Sequence, residues 1–447
     1  MPPPLRDPLL YTGDSGIITI APNGSGKSRR SLLVNTTLLT GWSKIIVDPK
    51  GDICAMTMEH LKRAGNLVVR WNPFDVLGLG SDGFNPIAML DPENDDFLDD
   101  AMGLAEALIR IQGKEPHWGQ AAQEFVAGVI MWVRIMIPDG SFEHVRELIA
   151  LDDTRMKSFV GSEEFIFHGQ TYLGLVHTGI EHDWPEIGIK TGRFVDITPE
   201  NKELHSVLSE ALTQMRWLDS RRIKADLNGP TFDFDVLKKK PTTIFLILPA
   251  RRFVTHSTWL RLCITSALQN LMRDTRKSNI PVLLAMDEYP AIAAGDGFPI
   301  IENYAPMMRG FFVKPWIIAQ DLNQLKAVHP EKWETLLANA GVLQAFATGH
   351  DVTTGEFLSK LTGQATRSQM SESSSRNRGG AQPLSRNDSV SVSQIPMPLM
   401  HPQDLRNMDD GYTVFFSDKA KGTVRSYLPY PDKLRYMRDI IARDPSA

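Results

Sequence analysis

The feature that most constrains this chain is a glycine-rich stretch near its start, Gly16-Ile17-Ile18-Thr19-Ile20-Ala21-Pro22-Asn23-Gly24-Ser25-Gly26-Lys27-Ser28. Its β-branched opening predicts a strand over 17–20, the glycines a loop, and the residues after Lys27 a helix over 28–40. A strand that turns through glycines into a helix N-terminus aims successive backbone N–H groups at one point, which is what cradling a phosphate requires. Asn23, Gly24, Ser25, Gly26, Lys27 and Ser28 are therefore the candidate nucleotide-binding residues, with Lys27 as the cation on phosphate and Ser28 as a magnesium ligand. Ala21 stands where the usual pattern has its first glycine. A mere glycine turn carrying a surface lysine is the alternative, and it leaves the order of strand, loop and helix unexplained.

A length of 447 residues allows one large α/β core plus a second domain. The net charge of -5 argues little about nucleic acid, because a local basic surface matters more than the sum. Cys54 and Cys263 have no metal or redox spacing and read as reduced, buried residues of a cytoplasmic protein. The longest apolar run, 125–137, is too short to span a bilayer and contains Arg134, so it reads as a buried helix. The N-terminus has no signal-peptide layout. His117, His144, His168, His177 and His182 lack the close spacing of a helix-borne zinc site, and zinc is not expected.

Further strands are predicted at 43–48, 67–71, 242–249, 281–288, 316–319, 342–346 and 411–416. Asp48 and Lys50 follow the second, at the strand end where open α/β sheets bind ligands. Between the third and fourth strands the pattern turns helical, over 97–111, 118–137, 142–150 and 201–218. This predicts an all-helical domain, residues 93–227, inserted into a nucleotide-binding domain made of 1–92 and 228–447. Trp118, Trp132, Trp184 and Trp217 suit packing of the helical domain, the weightier reading, or a partner groove. Residues 371–398 read as a Ser/Arg/Gly-rich linker, giving a flexible loop at about 367–398 whose Arg367, Arg376, Arg378 and Arg386 are available to phosphate.

The run Leu283-Leu284-Ala285-Met286 ends in Asp287-Glu288. Paired carboxylates there complete what the phosphate loop begins: Asp287 organises magnesium, directly or through water, and Glu288 polarises the attacking water. Gln320, at the end of the 316–319 strand, is a candidate sensor of the γ-phosphate. Arg309, beyond the helix predicted at 300–308, is either a surface arginine or one that reaches a neighbouring subunit's nucleotide. The candidate catalytic set is thus Glu288, Lys27, Arg309 and Gln320, with ATP and Mg2+ as cofactors.

The segments Ala21-Pro22-Asn23-Gly24-Ser25-Gly26-Lys27-Ser28, Val47-Asp48-Pro49-Lys50-Gly51-Asp52, Phe84-Asn85-Pro86, Leu284-Ala285-Met286-Asp287-Glu288-Tyr289-Pro290, Ala319-Gln320-Asp321-Leu322-Asn323-Gln324-Leu325 and Leu399-Met400-His401-Pro402 together resemble the type IV secretion coupling proteins. These are the TraG/TraD conjugative DNA-transfer ATPases. The resemblance implies an α/β fold, a RecA-like P-loop NTPase sheet with helices on both faces, plus an all-helical domain facing the cytosol. It also implies nucleotide sites at the interfaces of a homo-hexamer, with Arg309 matching the trans-acting arginine and Gln320 the nucleotide-sensing glutamine. Family members recruit DNA, single-stranded or carried by a relaxase, or protein substrates, and hand them to a secretion channel.

Members usually carry transmembrane helices ahead of the ATPase domain, whereas here the phosphate loop comes almost at once. Either the chain is naturally without that anchor or it is the soluble part of a longer one. The expectation is a cytoplasmic protein, recruited to the inner membrane's cytoplasmic face by a partner and monomeric when isolated. Two functions compete: an oligomer-dependent, DNA-stimulated ATP hydrolase that drives DNA or nucleoprotein transfer, and a nucleotide-switched receptor that binds a protein through the helical domain with little motor activity.

Overall fold

The computed structural model describes residues 11–111, 116–198, 200–273, 280–294, 297–376, 386–417, 419–420 and 422–445. In chain order the strands are β1 (Gly16–Ile20), β2 (Ser43–Val47), β3 (Leu67–Trp71), β4 (Phe165–Phe167), β5 (Gln170–Tyr172), β6 (Thr242–Leu246) and β7 (Val282–Met286). They continue with β8 (Val313–Ala319), β9 (Ala340–Phe346), β10 (Gln364–Arg376), β11 (Arg386–Pro398), β12 (Tyr412–Ser417) and β13 (Val424–Tyr427). One sheet has the order β13-β12-β9-β1-β8-β7-β2-β6-β3. From β9 to β3 every pairing is parallel, and β12 and β13 close the other edge antiparallel.

The strand sequences explain the parallel arrangement. All five residues of β2 and of β7 are buried. Ile45, Val47, Leu284 and Met286 join a core shared with the helix Phe253–Leu271. Ile46, Leu283 and Ala285 join a second core with Ile53, Cys54 and Leu61 of the helix Asp52–Arg63. Strands without a polar face need covers on both sides, as parallel sheets have. The chain is α/β, with helices on both faces. Among the described residues no helix is long and apolar enough to cross a membrane.

The helix predicted at 28–40 starts differently. Its first turn, Lys27–Leu32, is π-wound, with the Leu33 N–H reaching the Ser28 carbonyl, and an α-helix follows only over Leu33–Leu38. Asn35 and Thr37 turn their side chains back onto the carbonyls of Ser31 and Leu33. The Lys44 ammonium then satisfies the carbonyls of Leu39 and Trp42 just past the helix end.

Between β3 and β6 the chain builds helices that include Phe97–Leu108, Pro116–Met136, Phe142–Ile149 and Lys202–Gln214. The hairpin β4–β5 sits among them; three-residue strands leave too short a pattern to read in sequence. Trp132 is fully buried and meets Phe159, Phe165 and Tyr172 edge-on, so it is a packing residue. Entry and exit of this excursion are joined, because the Phe84 N–H donates to the Asp226 carbonyl and the Asn85 N–H to the Pro230 carbonyl. The Asp226 carboxylate accepts from Ser81 at 2.5 Å and from the Trp259 indole at 3.1 Å.

The segment expected as a flexible linker at about 367–398 is instead largely a hairpin: β10 pairs antiparallel with β11 from Gln364↔Pro398 to Arg376↔Arg386. The alternation Ser389-Val390-Ser391-Val392 has the period of a strand, and backbone ladder bonds need no buried core. Arg367 is exposed, while Arg378 lies outside the described residues.

Beyond the hairpin the chain returns to the phosphate loop. Arg30, with a side chain 1% exposed, pairs with Asp410 at 2.5 Å and stacks 3.8 Å over the Tyr430 ring. Arg29 pairs with Asp444 at 3.1 Å. Gly411 has φ 86°, and a Cβ there would run into Arg30 Nη1.

Two outcomes follow from these contacts. Gly411→Ala should lower unfolding stability by about 1–3 kcal/mol, read from the urea midpoint, because it combines a strained backbone with a clash on a buried guanidinium. Burial pushes the Asp226 carboxyl up to about 6 from 3.8, so the folded chain binds the extra proton between those values. Its stabilising effect is complete below the unfolded value and is lost as pH rises through about 6, a fall of about 3 kcal/mol across that window. Asp226→Asn should flatten that fall in thermal melts from pH 4 to pH 6.

Candidate active site at the carboxyl end of the sheet

β1 lies between β9 and β8, and β7 lies beyond β8. The phosphate loop leaves β1, Gln320 follows β8, and Asp287-Glu288 follow β7, so three strand ends deliver their residues to one rim of the sheet. With β8 as the middle strand, Gln320 falls between the loop and the acidic pair.

The loop geometry is that of a cradle. Gly24 and Gly26 have φ 79° and 81°, in the left-handed region that favours glycine. The Ser25 N–H donates to the Pro22 carbonyl at 3.2 Å, turning the chain, and the Ala21 N–H donates to the Ala319 carbonyl at 2.9 Å. Ala21 is fully buried there. The Ser25 hydroxyl is buried without a hydrogen-bond partner among the described residues.

Six predicted residues meet directly. Lys27 Nζ is 2.8 Å from Glu288 Oε1 and 3.9 Å from Asp287 Oδ1. Ser28 Oγ donates to Asp287 Oδ2 at 2.9 Å. Gln320 Nε2 donates to the other oxygen of Glu288 at 2.9 Å, and Asn23 Nδ2 donates to Gln320 Oε1 at 3.2 Å. The chain Asn23–Gln320–Glu288–Lys27 thus runs from the loop back to the loop. Burial raises the Asp287 pKa, against the pull of Lys27 and with a further push from Glu288. Glu288 adopts φ 55°, ψ 38°, a left-handed conformation uncommon outside glycine and typical of functional sites.

Asp48 is buried behind this rim. It accepts the Cys54 N–H at 2.8 Å and so satisfies a first-turn amide of the helix Asp52–Arg63. Burial pushes its pKa well up, and Asp52 and Asp287 add to the shift. Arg309 is elsewhere: it ends the helix Pro299–Met308, is exposed, and makes no described contact with the Lys27–Glu288 cluster.

Sequence reasoning missed the residues behind Glu288. The Tyr289 hydroxyl is 2.8 Å from His329 Nε2, and His329 Nδ1 is 2.7 Å from Glu302 Oε1. Tyr289 was visible next to the acidic pair, but its partners lie 13 and 40 residues away, and no local spacing announces them. Arg30 escaped for the same reason, since its partner Asp410 is 380 residues distant.

The chain is similar over 419 residues to the conjugal transfer protein TraG of Escherichia coli, with 26% identity, spanning 90% of this chain and 63% of that protein. It is 24% identical over 401 residues to the protein VirD4 of Rhizobium rhizogenes, spanning 88% of this chain and 55% of the relative. The chain thus spans less than two thirds of these relatives' length. Its fold is similar to that of the plasmid coupling protein TrwB in complex with ADP and Mg2+, with a TM-score of 0.63 at 15% identity over 93% of this chain and 86% of that one. The family model for type IV secretory system conjugative DNA transfer matches residues 6–422, and the chain belongs to that family.

Proposed function

We propose that this chain hydrolyses ATP at the carboxyl end of its sheet and couples the hydrolysis to handing DNA, or a relaxase–DNA or protein substrate, to a type IV secretion machinery. The observation that carries the reading is the direct meeting of Lys27, Ser28, Asp287, Glu288, Gln320 and Asn23 beside a glycine cradle, in a chain of the conjugative DNA transfer family. TrwB, of the same fold, has been seen with ADP and Mg2+.

In this reading the amides of 23–28 and the unpartnered Ser25 hydroxyl hold the phosphates, and Lys27 exchanges Glu288 for them. Ser28 and Asp287 converge at 2.9 Å with hard oxygen donors, which fits magnesium. Magnesium held there supplies charge neutralisation on the phosphate oxygens. Glu288, released from Lys27 and still held by Gln320, orients the water for in-line attack on the γ-phosphate. Arg309 acts in trans in a homo-hexamer. Supporting that role, it stands exposed at the end of a helix whose Tyr304 and Met307 are also exposed, an apolar strip beside a cation suited to a second copy. DNA is held through its phosphates, single-stranded or relaxase-bound, so binding weakens as salt rises. The assembly works in the cytoplasm, recruited to the membrane's inner face.

One observation favours the second reading, a nucleotide-switched receptor that captures a protein through the helices. Ile166, Ile180 and Ile189 of that region are 66%, 71% and 78% exposed. Apolar side chains so open to water suit a partner surface.

Magnesium-dependent ATP hydrolysis with and without single-stranded DNA, across protein concentration, separates the two. The motor reading expects turnover that rises with DNA and more steeply than linearly with protein. Glu288→Gln should lose about a hundredfold or more of the rate while keeping nucleotide binding. Arg309→Ala should lose a similar factor and leave the residual rate linear in protein. Hydrolysis by dilute protein that survives Arg309→Ala contradicts the trans role, and no hydrolysis above Glu288→Gln favours the receptor.

A further inference from the structure

Behind the site lies a chain of polar groups that hydrolysis itself leaves unused. Tyr289 and the His329 side chain are fully buried, and the Glu302 side chain is 14% exposed. A carboxylate only accepts, so His329 donates Nδ1–H to Glu302, and its bare Nε2 accepts the Tyr289 hydroxyl. Burial lowers the His329 pKa, against Glu302, and burial with Glu302 raises that of Tyr289; both favour the neutral donor and acceptor this order needs. The remaining Glu302 capacity is used as well, by the Phe298 N–H at 3.3 Å and by Lys332 at 3.4 Å.

Each member is attached to a different candidate residue of the site. Tyr289 follows Glu288 and anchors the left-handed turn that aims it. His329 caps the helix Leu322–Val328, whose Gln324 accepts the Gln320 N–H at 3.2 Å. Glu302 lies on the helix Pro299–Met308 that ends at Arg309. Apolar side chains would pack these elements without the cost of dehydrating a carboxylate and an imidazole. Directional bonds do what apolar packing cannot: they fix the distances between the three elements.

We propose that Tyr289, His329 and Glu302 are positioning residues, a buried relay that ties the placement of Glu288 and Gln320 in one subunit to the helix presenting Arg309 to the next. The proposal rests on the ATPase reading above. Strain at Glu288 persists only while its surroundings over-determine it, so loss of the Tyr289 hydroxyl lets the turn relax and also uncouples the arginine helix.

The test uses the full chain, with steady-state ATP hydrolysis, equilibrium binding of a fluorescent ADP analogue and thermal melts. Tyr289→Phe, which removes one oxygen, should lower kcat about tenfold while changing ADP affinity less than about twofold. Glu302→Gln keeps an acceptor and should retain most of the rate that Glu302→Ala loses, and it carries the same readout should Tyr289→Phe not fold. In the Tyr289→Phe background Arg309→Ala should cost far less than in the wild type, because coupled residues are not additive. A wild-type kcat in Tyr289→Phe, losses of rate that only track losses of melting temperature and ADP binding, or fully multiplicative effects with Arg309→Ala would each overturn the relay. Wild-type hydrolysis that persists in Glu288→Gln overturns the site reading and the relay with it. Hydrolysis that needs Glu288 but ignores Tyr289 overturns the relay alone.

Discussion

Lys27 carries a charge on a side chain only 8% exposed, and two carboxylates stand over it, Glu288 at 2.8 Å and Asp287 at 3.9 Å. An ammonium so far from water is tolerable only with partners, and those partners come from a strand two positions away in the sheet. The order of β1, β8 and β7 is what brings these opposite charges together. Two carboxylates against one ammonium leave net negative charge, which a divalent cation at Ser28 and Asp287 would balance while a phosphate draws Lys27 away. In the proposed reading, the same groups that hold one another in this structure are those that an Mg-nucleotide would rearrange.

The chain around this cluster keeps it in place. Asp48 holds a first-turn amide of the helix Asp52–Arg63, Arg29 and Arg30 pin the returning C-terminal segment to the phosphate-loop helix, and the Tyr289–His329–Glu302 chain lies behind Glu288. Contacts spanning hundreds of residues thus converge on a few side chains. Asp226 does the same at the base of the helical excursion, where Ser81 and Trp259 meet one buried carboxylate.

What the sequence made legible was local. β3 begins and ends where the Leu67 to Trp71 pattern predicts, and the apolar run before Asp287 is a fully buried strand. The glycine loop, the acidic pair and Gln320 each show themselves in a few adjacent residues, and the parallel sheet brings them together. The π-wound turn at Lys27 was not legible, because the 3.6-residue periodicity does not distinguish it from an α-turn over six residues. The β10–β11 hairpin was masked by serine-rich composition, since ladder bonds are made by the backbone. Neither Arg30–Asp410 nor Tyr289–His329–Glu302 could be read, because pairing across the fold leaves no mark on spacing.

The most direct measurement of the central claim is calorimetric binding of ADP to the full chain with and without magnesium, for the wild type and for Lys27→Ala. If the Lys27–Glu288–Asp287 cluster is a phosphate and magnesium site, ADP binds the wild type, magnesium strengthens the binding, and Lys27→Ala abolishes most of it. Binding that ignores both magnesium and Lys27, or no binding at all, would contradict the account.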